Sequence, residues 1–244
     1  MSFEPEHIGI EDSFTFNCHP GVSCFNQCCS DVNQFLYPYD IIRLKSHLGI
    51  SSTDFLEKYT VTYSGDTTGL PIVAFKTSAV EGNVCPFVTE KGCGVYENRP
   101  ASCRLFPLAR AISRSRQTGT VTEHFAIIKD PICLGFDSGR SIRVRDWLIN
   151  QGLHDYNQAN DRMIELISLK QQIMPGPLTG EQKEKFILAC YDVDRFRMSI
   201  KDDGLINVND IDKGRYHQIM ANDEALLDFG LSWIAKELFG NKAC

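Results

Sequence analysis

No window of this 244-residue chain approaches the roughly 20 consecutive apolar residues that cross a bilayer, so no membrane span is expected. The first 17 residues hold no Lys or Arg and carry Glu4, Glu6, Glu11 and Asp12. A secretory leader needs a basic start and an apolar run, and a mitochondrial one needs arginines and few acids. The cytoplasm is therefore the expected compartment. Acidic residues outnumber basic ones, 31 to 25, and the resulting formal charge of −6 argues against general nucleic-acid binding. The chain has no internal repeat and no low-complexity run. It contains no GxGxxG, Walker, GxSxG or HExxH string, which removes the common nucleotide, acyl-transfer and zinc-protease signatures. Asp202-Asp203-Gly204 and the stretch from Asn207 to Asp212 fail the ligand spacing of a calcium loop and read as polar surface.

What is plentiful is cysteine. The apolar fraction of 43% and charged fraction of 23% are ordinary and sufficient for a buried core. Ten cysteines are not ordinary, and eight of them lie between Cys18 and Cys133. A reducing compartment keeps thiols from serving as structural disulfides, so clustered cysteines there point to metal or redox chemistry.

The spacing is Cys18-x5-Cys24-x3-Cys28-Cys29, then Cys85-x7-Cys93-x9-Cys103, then Cys133 after 29 intervening residues. Thiolates are strong, soft donors to zinc and to iron–sulfur clusters. Cys24 and Cys28 can wrap one ion through a turn, whereas adjacent Cys28 and Cys29 more naturally serve two metals or two irons of one cluster. Eight ligands suit two tetrahedral sites, or a cluster plus one zinc. The set matches neither the zinc ribbon nor the bacterial ferredoxin run. Buried unliganded thiols and a disulfide framework are the competing readings, and compartment and clustering weigh against both. Cys190 falls on an apolar helical stripe and reads as core, and Cys244 as an exposed terminal thiol.

Between Asn98 and Thr122 there is no acidic residue, while Arg99, Arg104, Arg110, Arg114 and Arg116 all occur. They suit either an anion site or compensation of a four-thiolate zinc centre of net charge −2. Compensation is favoured for Arg99 and Arg104, with the later three on a solvated face. His19, beside Cys18, is set aside as a passive surface residue. His47, His124, His154 and His217 share no spacing.

For the fold, the pattern predicts a mainly α protein with small β content: an irregular cysteine-rich metal-binding core plus a helical C-terminal part. The boundary is drawn near 140, with a cysteine-rich domain over 1–140 and a helical region over 141–244 packed on it. A helix is expected from Tyr37 to Gly49, with Pro38 in its first turn. A second, capped by Ser51 with Asp54, runs through Tyr59. Leu70 to Lys76 reads as a strand, and the segments around Cys85, Cys93 and Cys103 as loops and knuckles. Apolar residues from Ala159 to Ile173 recur at helical spacing up to Pro175-Gly176-Pro177. Thr179 with Gln182 resembles a capping box ahead of one stripe formed by Phe186, Ala189, Cys190, Val193, Phe196 and Ile200. A last helix spans about Asn222 to Phe239, and Trp147 and Trp233 are expected against the core.

The strings FNCHPGVSCFNQCC, LYPYDIIRLKSHLGIS and NVCPFVTEKGCGVYENRPASCRLFPL resemble the YkgJ-type cysteine-cluster family, whose members are described as carrying a zinc- or iron-chelating domain. The likeness spans about Phe16 to Cys133. It implies ligand roles for Cys18, Cys24, Cys28, Cys29, Cys85, Cys93, Cys103 and Cys133, and it brings along Asp40, Arg43, Arg99, Pro100 and Arg104. Many members open with Cys-x2-Cys-x2-Cys-Cys, whereas the gaps here are five and three. A related arrangement in flagellin lysine-N-methylases implies an iron–sulfur centre used with S-adenosylmethionine.

Three readings follow. The first is a protein holding an iron–sulfur cluster, zinc or both, in a structural, redox or metal-handling role; the number of thiolates and the vicinal pair lean towards iron–sulfur. The second is a lysine methyltransferase-like enzyme. The third is a metal-stabilised module for an acidic protein partner.

Overall fold

A computed structural model describes residues 5–30, 33–77, 82–115, 117–137, 139–202 and 204–240. Glu4, Arg116, Asp203 and Cys244, each used in the sequence reading, lie outside the described residues. The first half of the chain carries β1 (Glu6–Ile8), β2 (Ser13–Thr15), β3 (Phe35–Leu36), α1 (Pro38–Leu48), α2 (Ser52–Tyr59), β4 (Thr60–Ser64), β5 (Pro71–Phe75), β6 (Val88–Thr89), β7 (Gly92–Cys93) and α3 (Ala101–Leu105). Next come β8 (Leu108–Arg114), β9 (Val121–Ile127), β10 (Ser141–Arg143), α4 (Val144–Asn150) and α5 (His154–Ile173). The rest is helical: α6 (Gly180–Cys190), α7 (Val193–Lys201), α8 (Lys213–Ala221) and α9 (Asp223–Phe239). The protein is mainly α with some β, and among the described residues no helix is long and apolar enough to cross a membrane.

Contacts divide the chain into two compact units, Met1–Asn33 with Thr77–Gln158, and Gln34–Lys76 with Ala159–Cys244. This differs from the single cut expected near 140. The reason is that the 34–76 segment buries its apolar side chains with distant helices, a long-range pairing that local periodicity does not record.

The first unit is built on an antiparallel sheet of order β1-β9-β8, with β8 and β9 in register from Leu108↔Ile127 to Arg114↔Val121. A second pair, β2 with β10, sets Phe14 opposite Ile142. The inward residues Phe14, Phe16, Leu108, Phe125, Ile127 and Val144 form the core, with Phe106, Cys133, Phe136 and Trp147 packed around them. Trp147 meets the rings of Phe14 and Phe16 edge-on at 5.8 and 5.7 Å, and its indole N–H donates to the Leu105 carbonyl at 3.1 Å. An aromatic ring with a satisfied polar end is well suited to such a half-buried position.

In the second unit β5 lies between β3 and β4. Pro38 opens α1, Asp40 Oδ2 accepts the Tyr37 amide at 2.8 Å, and Gly49 ends the helix at φ 65°. Thr179 and Gln182 form the expected capping box, with bonds of 3.0 and 3.3 Å. The stripe from Phe186 to Ile200 is two helices rather than one. It breaks at Tyr191-Asp192 without Gly or Pro, because the Asp192 carboxylate accepts from Ser52 Oγ at 2.7 Å and Thr53 Oγ1 at 2.9 Å. Cys190 is fully buried, as expected for a core thiol. On α9, a Cβ at Gly230 would lie 2.2 Å from the Ala189 carbonyl oxygen of α6, so only glycine permits that helix approach. Lys45 Nζ is flanked by Asp194 at 3.0 Å and Asp223 at 2.7 Å, and Arg197 contacts both carboxylates.

Candidate metal centre

All eight cysteines of the cluster belong to the first unit, and no described cysteine is in a disulfide. Cys18 follows β2 in an irregular segment, Cys24 lies in a run of turns, and Cys28 and Cys29 occupy one 3₁₀ turn (Gln27–Cys29). Asn26 enters that turn at φ 68°, a left-handed conformation that Asn tolerates, and its side-chain amide donates to the Thr89 carbonyl at 3.0 Å. Cys85 precedes the β6–β7 hairpin, Cys93 ends it, and Cys103 is exposed on α3. Cys133 follows β9. The segments bearing Cys93 and Cys103 are thus a short strand and a short helix where loops were expected.

Backbone amides are aimed at several of these sulfurs. Leu134 N–H donates to Cys24 Sγ at 3.2 Å, Phe87 and Val88 N–H donate to the Cys85 thiol, and Gly135 N–H donates to that of Cys133. Such donors favour the thiolate over the thiol. Burial opposes them and pushes the Cys85 and Cys133 thiols up. Burial likewise raises Cys18, reinforced by Cys28, Cys24 and Cys133 and opposed by Arg99. Cys28 is pulled down to about 7 by a hydrogen bond from Cys29. Cys29, the donor in that bond and itself desolvated, is pushed up.

Among the described residues, no three His, Cys, Asp or Glu side chains are already gathered as an ion site. The donor set still fits a soft metal. Eight thiols share one compact unit, and amides on three of them offset the charge that ligation requires.

Arg99 and Arg104 divide in role. Arg99 is desolvated, which lowers its pKa. Arg104 adds to this, while Tyr96, Cys103 and Cys93 oppose it. Its guanidinium lies 3.8 Å from the Tyr96 ring centroid and donates to Gln151 Oε1. Buried Arg104 instead spends its donors on main-chain carbonyls, Arg99 at 3.0 Å, Gln151 at 2.8 Å, and Glu97, with its guanidinium over the Tyr156 ring. It fixes the loop ahead of Cys103. Arg110 pairs with Glu123 across the β8–β9 hairpin at 2.6 Å. Asp40 and Arg43 lie on α1 in the other unit, where Asp40 caps the helix and Arg43 bonds the Tyr39 hydroxyl. Sequence reasoning did not single out Asn26, Gln151 or Tyr156. Polar residues between cysteines carry no distinctive spacing, and only the left-handed turn before Cys28-Cys29 could have marked Asn26.

Residues 17–133 match the model of the CxxCxxCC family, whose description reads "Putative zinc- or iron-chelating domain". This segment, just under half of the chain, is similar to a CxxCxxCC domain. It is the same cysteine-cluster family that the sequence strings resemble, and the match ends on Cys133. Comparison with curated proteins and with solved structures finds no match. The matched segment contains all eight clustered cysteines and also the 34–76 segment of the second unit.

Proposed function

We propose that the chain is a metal-binding protein whose CxxCxxCC domain holds an iron–sulfur centre, zinc or both through Cys18, Cys24, Cys28, Cys29, Cys85, Cys93, Cys103 and Cys133. The observation that carries the reading is the set of main-chain amides directed at the sulfurs of Cys24, Cys85 and Cys133. An unliganded core thiol has no use for such donors, whereas a metal-bound thiolate does. Bound zinc would supply a closed structural tie, and a bound iron–sulfur centre would supply one-electron chemistry.

The chain's own residues prepare that role. Cys28 and Cys29 lose their protons on ligation, and the Asn26 turn fixes the backbone that carries both. Arg99 contributes positive charge near Cys18, Cys93 and Cys103, where thiolates would accumulate negative charge. Arg104 acts through the loop it braces.

Metal and acid-labile sulfide content, with an absorption spectrum, of protein purified without oxygen tests the reading. Iron with sulfide and a brown colour supports the iron–sulfur form, and stoichiometric zinc in a colourless sample supports the zinc form. Absence of both metals in stoichiometric amount refutes it.

A further inference from the structure

Resting on that reading, we propose that the eight cysteines form two separate four-thiolate sites, Cys18, Cys24, Cys28 and Cys133 in one and Cys29, Cys85, Cys93 and Cys103 in the other, with the vicinal pair divided between them.

Main-chain geometry sets up the first quartet. Asn17 N–H donates to the Gly135 carbonyl at 2.8 Å, which ties the segment bearing Cys18 to the one bearing Cys133. The Leu134 amide reaches Cys24 Sγ at 3.2 Å, bringing Cys24 to the same segment, and the Cys133 thiol hydrogen-bonds Cys24. Gln27 N–H donates to the Cys24 carbonyl at 3.0 Å, so a single turn leads from Cys24 to Cys28. Among electrostatic neighbours, Cys18 feels Cys28, Cys24 and Cys133, and Cys133 feels Cys24 and Cys28, while the interactions that cross the partition, Cys28 with Cys29 and with Cys85, all involve the shared turn.

A different set of bonds assembles the second quartet. Cys85 N–H donates to the Cys29 carbonyl at 2.8 Å. The β6–β7 hairpin sets Cys93 opposite Val88, and Gly94 N–H donates to the Phe87 carbonyl at 2.7 Å, folding Cys93 back on the Cys85 turn. Cys29 feels Cys85 and Cys103, and Cys85 feels Cys93. Cys28 and Cys29 sit in one 3₁₀ turn, where successive side chains diverge by about 120°. One turn can therefore face two sites, and it forms the junction between them.

The test is titration of the reduced, metal-free chain with Co²⁺ under nitrogen, read by thiolate-to-cobalt charge-transfer absorption. The expected wild-type saturation is at two equivalents. Cys18→Ser/Cys133→Ser should lose one equivalent and Cys93→Ser/Cys103→Ser the other, whereas Cys133→Ser/Cys93→Ser should lose the four-thiolate spectrum of both. Wild-type saturation at one equivalent, or loss of both sites from a double substitution within one quartet, overturns the partition. Failure of the wild type to bind Co²⁺ through sulfur overturns the metal reading itself. A second measurement needs no variant: protection of each cysteine from iodoacetamide is followed by mass spectrometry as Co²⁺ is added. Thiols of one quartet should gain protection together, and any thiol that tracks the opposite quartet refutes its assignment.

Discussion

Arg104→Met removes the clamp ahead of Cys103 while keeping an unbranched side chain of similar reach. Native Arg104 is 8% exposed, and its guanidinium serves the carbonyls of Glu97, Arg99 and Gln151. Hydrogen bonds involving a charged partner contribute about 1.5–3 kcal/mol each. The three act as a unit, and water can reach part of what is uncovered, so the expected loss is about 3 kcal/mol rather than their sum. That corresponds to a melting temperature lower by roughly 6–12 °C for a chain of this size. Because the loop carries Cys103 on α3, metal retention against a competing chelator should fall as well. Arg104→Lys, with a compact ammonium in place of a planar fork, should recover only part of the difference. Thermal unfolding of the metal-free chain and chelator competition of the loaded one give the two readouts. Arg145→Met is the control, since the Arg145 side chain is 56% exposed in its pair with Glu11 and should change stability by less than about 0.5 kcal/mol. Equal melting temperatures and equal metal retention for wild type and Arg104→Met would refute the clamp.

Gly230→Ala should destabilise by about 2 kcal/mol despite alanine's higher helix propensity, because its Cβ meets a backbone oxygen. Gly180→Ala, with open space around it, should be neutral or stabilising, and circular dichroism at 222 nm during urea unfolding compares the two. Lys45→Met should cost about 2 kcal/mol at neutral pH, a figure reduced from the fully buried case by the partial exposure of its partners. Burial tends to raise the Asp194 pKa, but the Ser52 amide and Lys45 outweigh it and hold the carboxyl below its usual value. Its contribution is thus complete above the unfolded-state value of about 3.9 and lost as pH falls through the folded one. The gap between Lys45→Met and wild type should close over that acid range, and denaturant titrations at pH 3 and pH 7 check it. Cys190→Ser should leave metal content unchanged and lower stability by about 1–3 kcal/mol for a poorly satisfied buried hydroxyl; elemental analysis together with thermal unfolding reads both.

Local chemistry was legible and long-range pairing was not. The Pro38 start and Gly49 stop of α1, the Ser51 cap of α2, and the Thr179–Gln182 box all follow from residues within one turn of the event. So does the burial of Cys190 on its stripe. The β8–β9 hairpin escaped notice because its outer half alternates polar and charged residues, and Arg110 and Arg114 drew attention as charge rather than as strand positions. The break at Asp192 depends on Ser52 and Thr53, over 130 residues earlier. At the centre, the cysteines announced themselves by number and spacing, whereas the amides of Leu134, Phe87 and Gly135 carry no side-chain signature at all. Arg104 was expected to relieve sulfur charge, and its donors instead go to carbonyls that no sequence pattern marks.

The interleaving of the two compact units has a consequence on the ribosome. Cys29 emerges 104 residues ahead of Cys133, an interval of roughly 5–20 s at ordinary elongation rates. During it the nascent chain presents early thiols whose spatial partners have not been synthesised, followed by the 34–76 stretch, whose own helical companions come after residue 158. Neither half can close before the other has begun. On the proposed partition, the set that includes Cys133 would close only after Cys133 has emerged, and until then its early sulfurs depend on the reducing power of their surroundings.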